Sequence, residues 1–217
     1  MQAWRAIVAD VRLPQVLQDP ADDRAISSLA RYYGTTEDPA FSFTGARFDT
    51  WDSTGTRWAD ADRFTSDDLV AVTFLSVNVT ARAAVLLLDT RADTFTSLLS
   101  ALGPDRDLVA ESEPWSDDWA GWALWRELIA LPGVGPTTAS KLFARKRPRL
   151  RPIYDSVVAD VLGSQRLWEP LRSRLVSEPA LHERLLRLRR SAGLDETVSA
   201  LRVLDVIAWI EGKFGPP

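Results

Sequence analysis

The sequence predicts an all-α protein of two helical lobes, interrupted by one short non-helical, aromatic-rich segment near residues 41–58. Three observations carry this. Apolar residues recur at helical spacing through most of the 217 residues, the pattern that lines one face of a helix. Polar residues with acids behind them, Thr65-Ser66-Asp67-Asp68 and Trp115-Ser116-Asp117-Asp118, stand where helices should begin, because a hydroxyl or carboxylate there accepts orphan amide N–H groups. Proline and glycine then punctuate the periodic runs, most sharply at Pro132-Gly133.

Taken in order, the periodicity predicts helices over 20–33, 66–76, 79–88, 93–102, 115–130, 136–145, 155–163, 166–176, 179–191 and 195–212. Residues 41–58, rich in Thr, Ser, Gly and aromatics, read as loop or short strand. Glycine, proline and alternating charge interrupt the pattern over 102–114, which reads as a break between lobes.

Composition narrows the function classes. At 46% hydrophobic residues the chain can bury a substantial core. It has no apolar run of eighteen or more residues, so no membrane span is expected. The first ten residues lack the apolar core of a secretion signal. With no cysteine and one histidine, no disulfide, metal site or cofactor is expected, and a cytoplasmic, nucleoid-associated location is the simplest reading. Charge is uneven along the chain: residues 1–130 hold 11 basic and 21 acidic side chains, residues 131–217 hold 15 and 9. That asymmetry favours an anionic partner for the later half. Arginine outnumbers lysine 23 to 3, a bias attributed to GC-rich coding, which weakens arguments from arginine number alone.

The most specific stretch is Leu131-Pro132-Gly133-Val134-Gly135-Pro136-Thr137-Thr138-Ala139. Pro132 and Gly133 end one helix, and Pro136 suits the first turn of the next. Gly133, Val134 and Gly135 then sit at a helix N-terminus, where unpaired amides and the helix dipole favour an anion. Glycines without Cβ let a phosphodiester approach the backbone. Thr137, Thr138 and Lys141 stand on the following turn as further phosphate contacts. The basic run Arg145-Lys146-Arg147-Pro148-Arg149-Leu150-Arg151 lies just beyond, and Arg145, Lys146 and Arg149 are expected to clamp phosphates. The competing reading is an ordinary helix corner followed by a solvated basic loop.

From residue 131 to residue 158, this pattern resembles the helix-hairpin-helix DNA glycosylase superfamily: Leu-Pro-Gly-Val-Gly, a helix, then an aspartate about twenty residues past the second glycine. Asp155, within Arg151-Pro152-Ile153-Tyr154-Asp155, stands at that distance. A weaker match covers residues 68–80, where Asn78 falls at the position of a residue that fills the gap left by a flipped base. Together the two segments span about a fifth of the chain, and residues 32–58 are closer to an actinobacterial branch carrying the same hairpin. The resemblance implies one compact unit of two lobes, a core at about 66–163 with 1–65 and 164–217 packed together. Where lyase-competent members carry a lysine, this chain has Thr137, so no Schiff base with the sugar is expected. The missing cysteines exclude the iron–sulfur cluster of many relatives.

The expected activity is therefore that of a monofunctional DNA glycosylase acting on duplex DNA, with no obligate protein partner. Loss of a base builds positive charge on the sugar, which an ionised carboxylate stabilises while orienting water. Asp155 is the candidate; the alternative makes it only the cap of the following helix, in a non-catalytic DNA-binding protein. Asp160, five residues further on, should point elsewhere. An aromatic wall with polar readers is what a flipped base requires. Tyr33, Phe43, Arg47, Asp49 and Tyr154 are the pocket candidates, set among Tyr32, Phe41, Phe48 and Trp51. Trp115, Trp119, Trp122 and Trp125 share one helical face and read as packing.

Overall fold

The computed structural model describes residues 11–35, 43–111 and 118–215, and every regular element among them is helical. In chain order these are α1 (Gln15–Gln18), α2 (Asp23–Tyr33), α3 (Arg47–Thr50), α4 (Ser66–Thr73), α5 (Ala81–Val85), α6 (Ala92–Leu102), α7 (Ala120–Ile129), α8 (Pro136–Lys146), α9 (Ser156–Leu162), α10 (Trp168–Ser177), α11 (Pro179–Ser191) and α12 (Ala200–Phe214). Short 3₁₀ turns precede α3 at Thr44–Ala46 and lie at Leu108–Ala110, and a π-helical turn, Leu86–Thr90, follows α5. No helix of the described residues is long and apolar enough to cross a membrane.

The chain divides into two units, Met1–Phe43 with Tyr154–Pro217, and Thr44–Ile153. The boundaries thus fall at 43/44 and 153/154, against the expected 65/66 and 163/164. Residues 102–111, read from sequence as part of a break, lie inside the second unit; residues 112–114 are outside the described residues.

In the first unit α12 is the centre. It packs against α9, α11 and α2, and Leu201, Val203, Leu204, Val206, Ile207, Ala208 and Ile210 are all buried, the mark of a helix enclosed on most sides. Gly212 permits the closest approach: a Cβ there would lie 2.4 Å from Val157 Cγ1 on α9. The helix was expected from residue 195 and begins at 200. Asp195 Oδ1 accepts the Thr197 N–H at 2.8 Å and Ser199 Oγ accepts the Arg202 N–H at 3.1 Å, so both residues close turns against the backbone.

In the second unit α4 packs on α8, and α7 on α6 and α8. The expected start at Thr65 is observed, with the Asp68 carboxylate accepting the Thr65 N–H at 2.9 Å. The other expected start, Trp115 to Asp118, lies mostly outside the described residues, and α7 begins at Ala120. The segment read as loop or strand contains α3 instead. Phe48 is buried, and Arg145, 97 residues away in sequence, donates to the Phe48 carbonyl at 2.6 Å and to that of Trp51. Behind α3 the Asp67 carboxylate gathers the Ser53 N–H and hydroxyl at 2.7 and 2.6 Å and Trp51 Nε1 at 3.2 Å.

Asp68 carries more than a helix start. Arg145 Nε donates to it at 3.1 Å and Lys146 Nζ pairs with its other oxygen, all three side chains buried. Removing one member of such a group strands the others in a low-dielectric interior. Asp68→Ala should lower the unfolding free energy by about 3–5 kcal/mol, read from the urea midpoint; a change under about 1 kcal/mol would mean the cations find other partners.

Candidate nucleic-acid interface

Gly133, in the turn between α7 and α8, has φ +75°, a conformation open to glycine and costly to other residues. A Cβ at this position would meet Thr80 Cγ2 at 2.6 Å, so the turn is pressed against the chain ahead of α5. Gly135 differs. Its backbone is extended, φ −92° and ψ −180°, which any residue adopts, and a Cβ there would meet nothing within 4 Å. Conformation does not demand this glycine; it leaves the approach to the first turn of α8 open. Gly133, Gly135 and Pro136 are exposed, Thr137 is half-buried, and Val134 and Thr138 are buried. Pro136 at the start of α8 has no amide, while the N–H groups of Thr137 and Thr138 lie where no carbonyl inside the helix reaches them.

Residues 75–80 lie beside this turn. The Thr80 hydroxyl donates to the Pro132 carbonyl at 2.8 Å and accepts the Ala83 N–H at 3.2 Å, capping α5. Lys141 Nζ donates to the Leu75 carbonyl at 2.8 Å. Between the two ties, Ser76 has φ +61°, a strained conformation for a residue with Cβ. Asn78 is exposed two residues before Thr80. The structure therefore brings the loop bearing Asn78 and the glycine turn together.

The cations expected at a phosphate are elsewhere, and this corrects the reading of the basic run. Lys141 is buried and tied to Leu75. Arg145 and Lys146 are buried around Asp68, and Lys146 also holds the Asp60 carbonyl at 3.0 Å; burial pulls the Lys146 ammonium below its usual range, with Asp68 opposing. Arg147 is fully buried, holding the carbonyls of Gly103, Ala61 and Leu99 and pairing with Asp62. Arg149 is half exposed, but its guanidinium is engaged by Asp107, which raises its pKa, and its amide by Asp105. Arg151 stacks 4.3 Å from the Trp125 ring centroid and burial pushes it down to about 9. Each of these residues was adjacent to the hairpin in sequence, yet their charge holds the unit together. Counted by unit, the asymmetry between chain halves vanishes: each unit has 13 basic and 15 acidic residues.

Sequence reasoning passed over Thr80 and Arg82. Arg82, the second residue of α5, is exposed and forms no ion pair among the described residues. The signal was slight: a threonine before Ala81-Arg82-Ala83-Ala84 reads as a helix cap, and nothing in sequence ties it to Pro132.

Asp155 lies in the first unit as the cap of α9. Its Oδ1 accepts the Val157 N–H at 3.0 Å and its carbonyl accepts the Ala159 N–H at 2.8 Å. With α9 held to α12 at Gly212, this half-buried carboxylate is fixed in place. Asp160 is exposed, and its carbonyl accepts Arg12 Nη2 at 3.2 Å.

The five pocket candidates are divided between the units. In the first, Tyr33 and Phe43 both contact Tyr32, with centroids at 5.2 and 5.5 Å, and Phe43 also meets Trp209 and Phe214. Tyr154 donates from its hydroxyl to Gln165 at 2.8 Å. In the second, Arg47 is exposed above Trp51, whereas Asp49 is 2% exposed and so closed to a base edge. Phe41 and Trp115 lie outside the described residues. Trp119 and Trp122 meet edge to face at 5.7 Å, and Gly121 makes room for the Trp119 ring, consistent with packing.

Together these features define an all-helical protein with an open glycine turn at a helix start. The chain belongs to DUF6308, a family of unknown function, whose model matches residues 25–212. No curated protein and no solved structure matches it.

The two glycines make separable demands. Gly133→Ala should destabilise the second unit, through its positive φ and the Thr80 contact, and lower the melting temperature by several degrees (about 1–2 kcal/mol). Gly135→Val, at the N-cap of α8, should cost less, about 1 kcal/mol or under and no more than a few degrees of melting temperature; if this turn meets a DNA strand, the same change should weaken duplex binding about tenfold or more. Equal duplex affinity for Gly135→Val and the wild type would show that this face touches no strand.

Proposed function

We propose that this protein grips the backbone of duplex DNA with the Gly133–Gly135 turn and acts as a monofunctional DNA glycosylase, with Asp155 supporting loss of a damaged or modified base. The observation that carries the proposal is Gly135: exposed, free to bear a side chain on conformational grounds, and without one at the mouth of the first turn of α8. Amide donors and the dipole of an eleven-residue helix converge there, which suits a phosphate oxygen. The likeness of residues 131–158 to the helix-hairpin-helix glycosylases supplies the reaction class.

In this reaction the carboxylate of Asp155 stabilises the cation that develops on the sugar and orients the attacking water. A rigid cap suits the task, because a fixed charge needs no reorganisation as the bond breaks. Thr137 provides no amine, so the product is an abasic site with the strand intact.

A second reading, a DNA-gripping protein without catalysis, is favoured by one observation: the bond from the Val157 N–H gives Asp155 a complete structural role. Asp155→Asn separates the two, since asparagine caps as well as aspartate and differs in charge. Duplexes carrying alkylated, deaminated or oxidised bases, treated with alkali after incubation, should reveal abasic sites with the wild type. With Asp155→Asn, release should fall about 100-fold or more while duplex affinity changes less than about twofold. Tight DNA binding with no base released from the whole panel would leave the gripping reading.

A further inference from the structure

With Lys141, Arg145 and Lys146 buried, the open turn has no exposed cation from its own helix, and a cation nearby would add the salt-dependent part of duplex affinity. We infer that residues 76–82 form the second half of the DNA contact, with Arg82 as its phosphate-binding cation and Lys141 and Thr80 as positioning residues that hold this segment to the turn. The inference rests on the DNA-binding reading above and assigns to that site its missing charge.

Four observations carry it. The segment is fastened twice to the elements that form the turn, by Lys141 Nζ to the Leu75 carbonyl and by the Thr80 hydroxyl to the Pro132 carbonyl, both at 2.8 Å. Gly133 closes the fit, since only a residue without Cβ lets Thr80 Cγ2 in. Ser76 is held at φ +61°, a strain that persists where surrounding contacts over-determine the chain. Ser76, Asn78 and Thr80 are exposed along the segment, and Arg82 follows them exposed, with no ion pair among the described residues. Lys141 is the converse: a lysine 2% exposed, whose ammonium serves a carbonyl.

The test is the salt dependence of affinity for a short unmodified duplex. Each phosphate neutralised by a side chain contributes about 0.9 to the slope of log affinity against log salt. Arg82→Gln should weaken binding about tenfold at low salt and reduce the slope by about 0.9, and Arg82→Lys should restore the slope. Lys141→Met and Thr80→Val should weaken binding several-fold with the slope unchanged, and Thr80→Ser should recover affinity. Thr80 is exposed, so its variants remain informative if Lys141→Met does not fold. A slope untouched by Arg82→Gln overturns the assignment of the cation. A slope reduced by Lys141→Met would place that ammonium on a phosphate and overturn the positioning role. If the wild type binds and Gly135→Val weakens it while every variant of the segment binds normally, this inference falls and the hairpin reading stands; if the wild type binds no duplex, both fall.

Discussion

Asp68 lies buried between Arg145 and Lys146, and its carboxylate also receives the amide of Thr65 at the start of α4. One acid thereby fixes the start of α4 and the far end of α8 together. Arg145 extends the same bond network to the carbonyls of Phe48 and Trp51, closing the end of α3. A buried cation is tolerated only where such partners replace its water, so α8 is constrained in rotation as well as position. Its basic side chains turn inward at one end, and its first turn opens outward at the other.

This division of labour within α8 shapes the functional reading. A turn that binds a phosphodiester needs access, amide donors and a rigid mount more than it needs charge on its own helix. Gly135 leaves that approach open, and Pro136 starts the helix with no amide donor of its own. The mount comes from Lys141 and from the Thr80–Pro132 bond. Gly135 is the N-cap of α8, a place glycine suits, and its missing side chain also leaves the approach to the first turn open. Gly133, by contrast, is explained by φ and by the methyl of Thr80.

Much of the fold was legible in sequence because its signals are local. Periodicity placed α2, α4, α6, α8, α10 and α11 within a few residues, and Thr65 and Asp155 stand at helix starts where hydroxyls and carboxylates accept amides. What escaped notice depends on distant partners. The run at 145–151 read as a phosphate clamp because adjacency shows charge and hides what it meets: Asp68 is 77 residues from Arg145, Asp62 is 85 from Arg147, and Asp107 is 42 from Arg149. The same limit hid α3, whose end is closed by that distant guanidinium. Of the candidate site, the glycine turn was legible as a motif, but its contact with Thr80 was not, since a turn's neighbours leave no local trace. The aromatic residues from 32 to 51 read as one wall, and the boundary after Phe43 divides them.

On the proposal above, the exposed first turn of α8 receives a nucleic-acid phosphate. Backbone amide shifts, followed as a short duplex is titrated into labelled protein, test it most directly. The largest concerted changes should fall at the amides of Gly133, Gly135, Thr137 and Thr138, where a charged oxygen would accept their hydrogen bonds. Saturation of the protein with duplex while these four amides stay unmoved is the opposite result, and it would remove the turn from the interface.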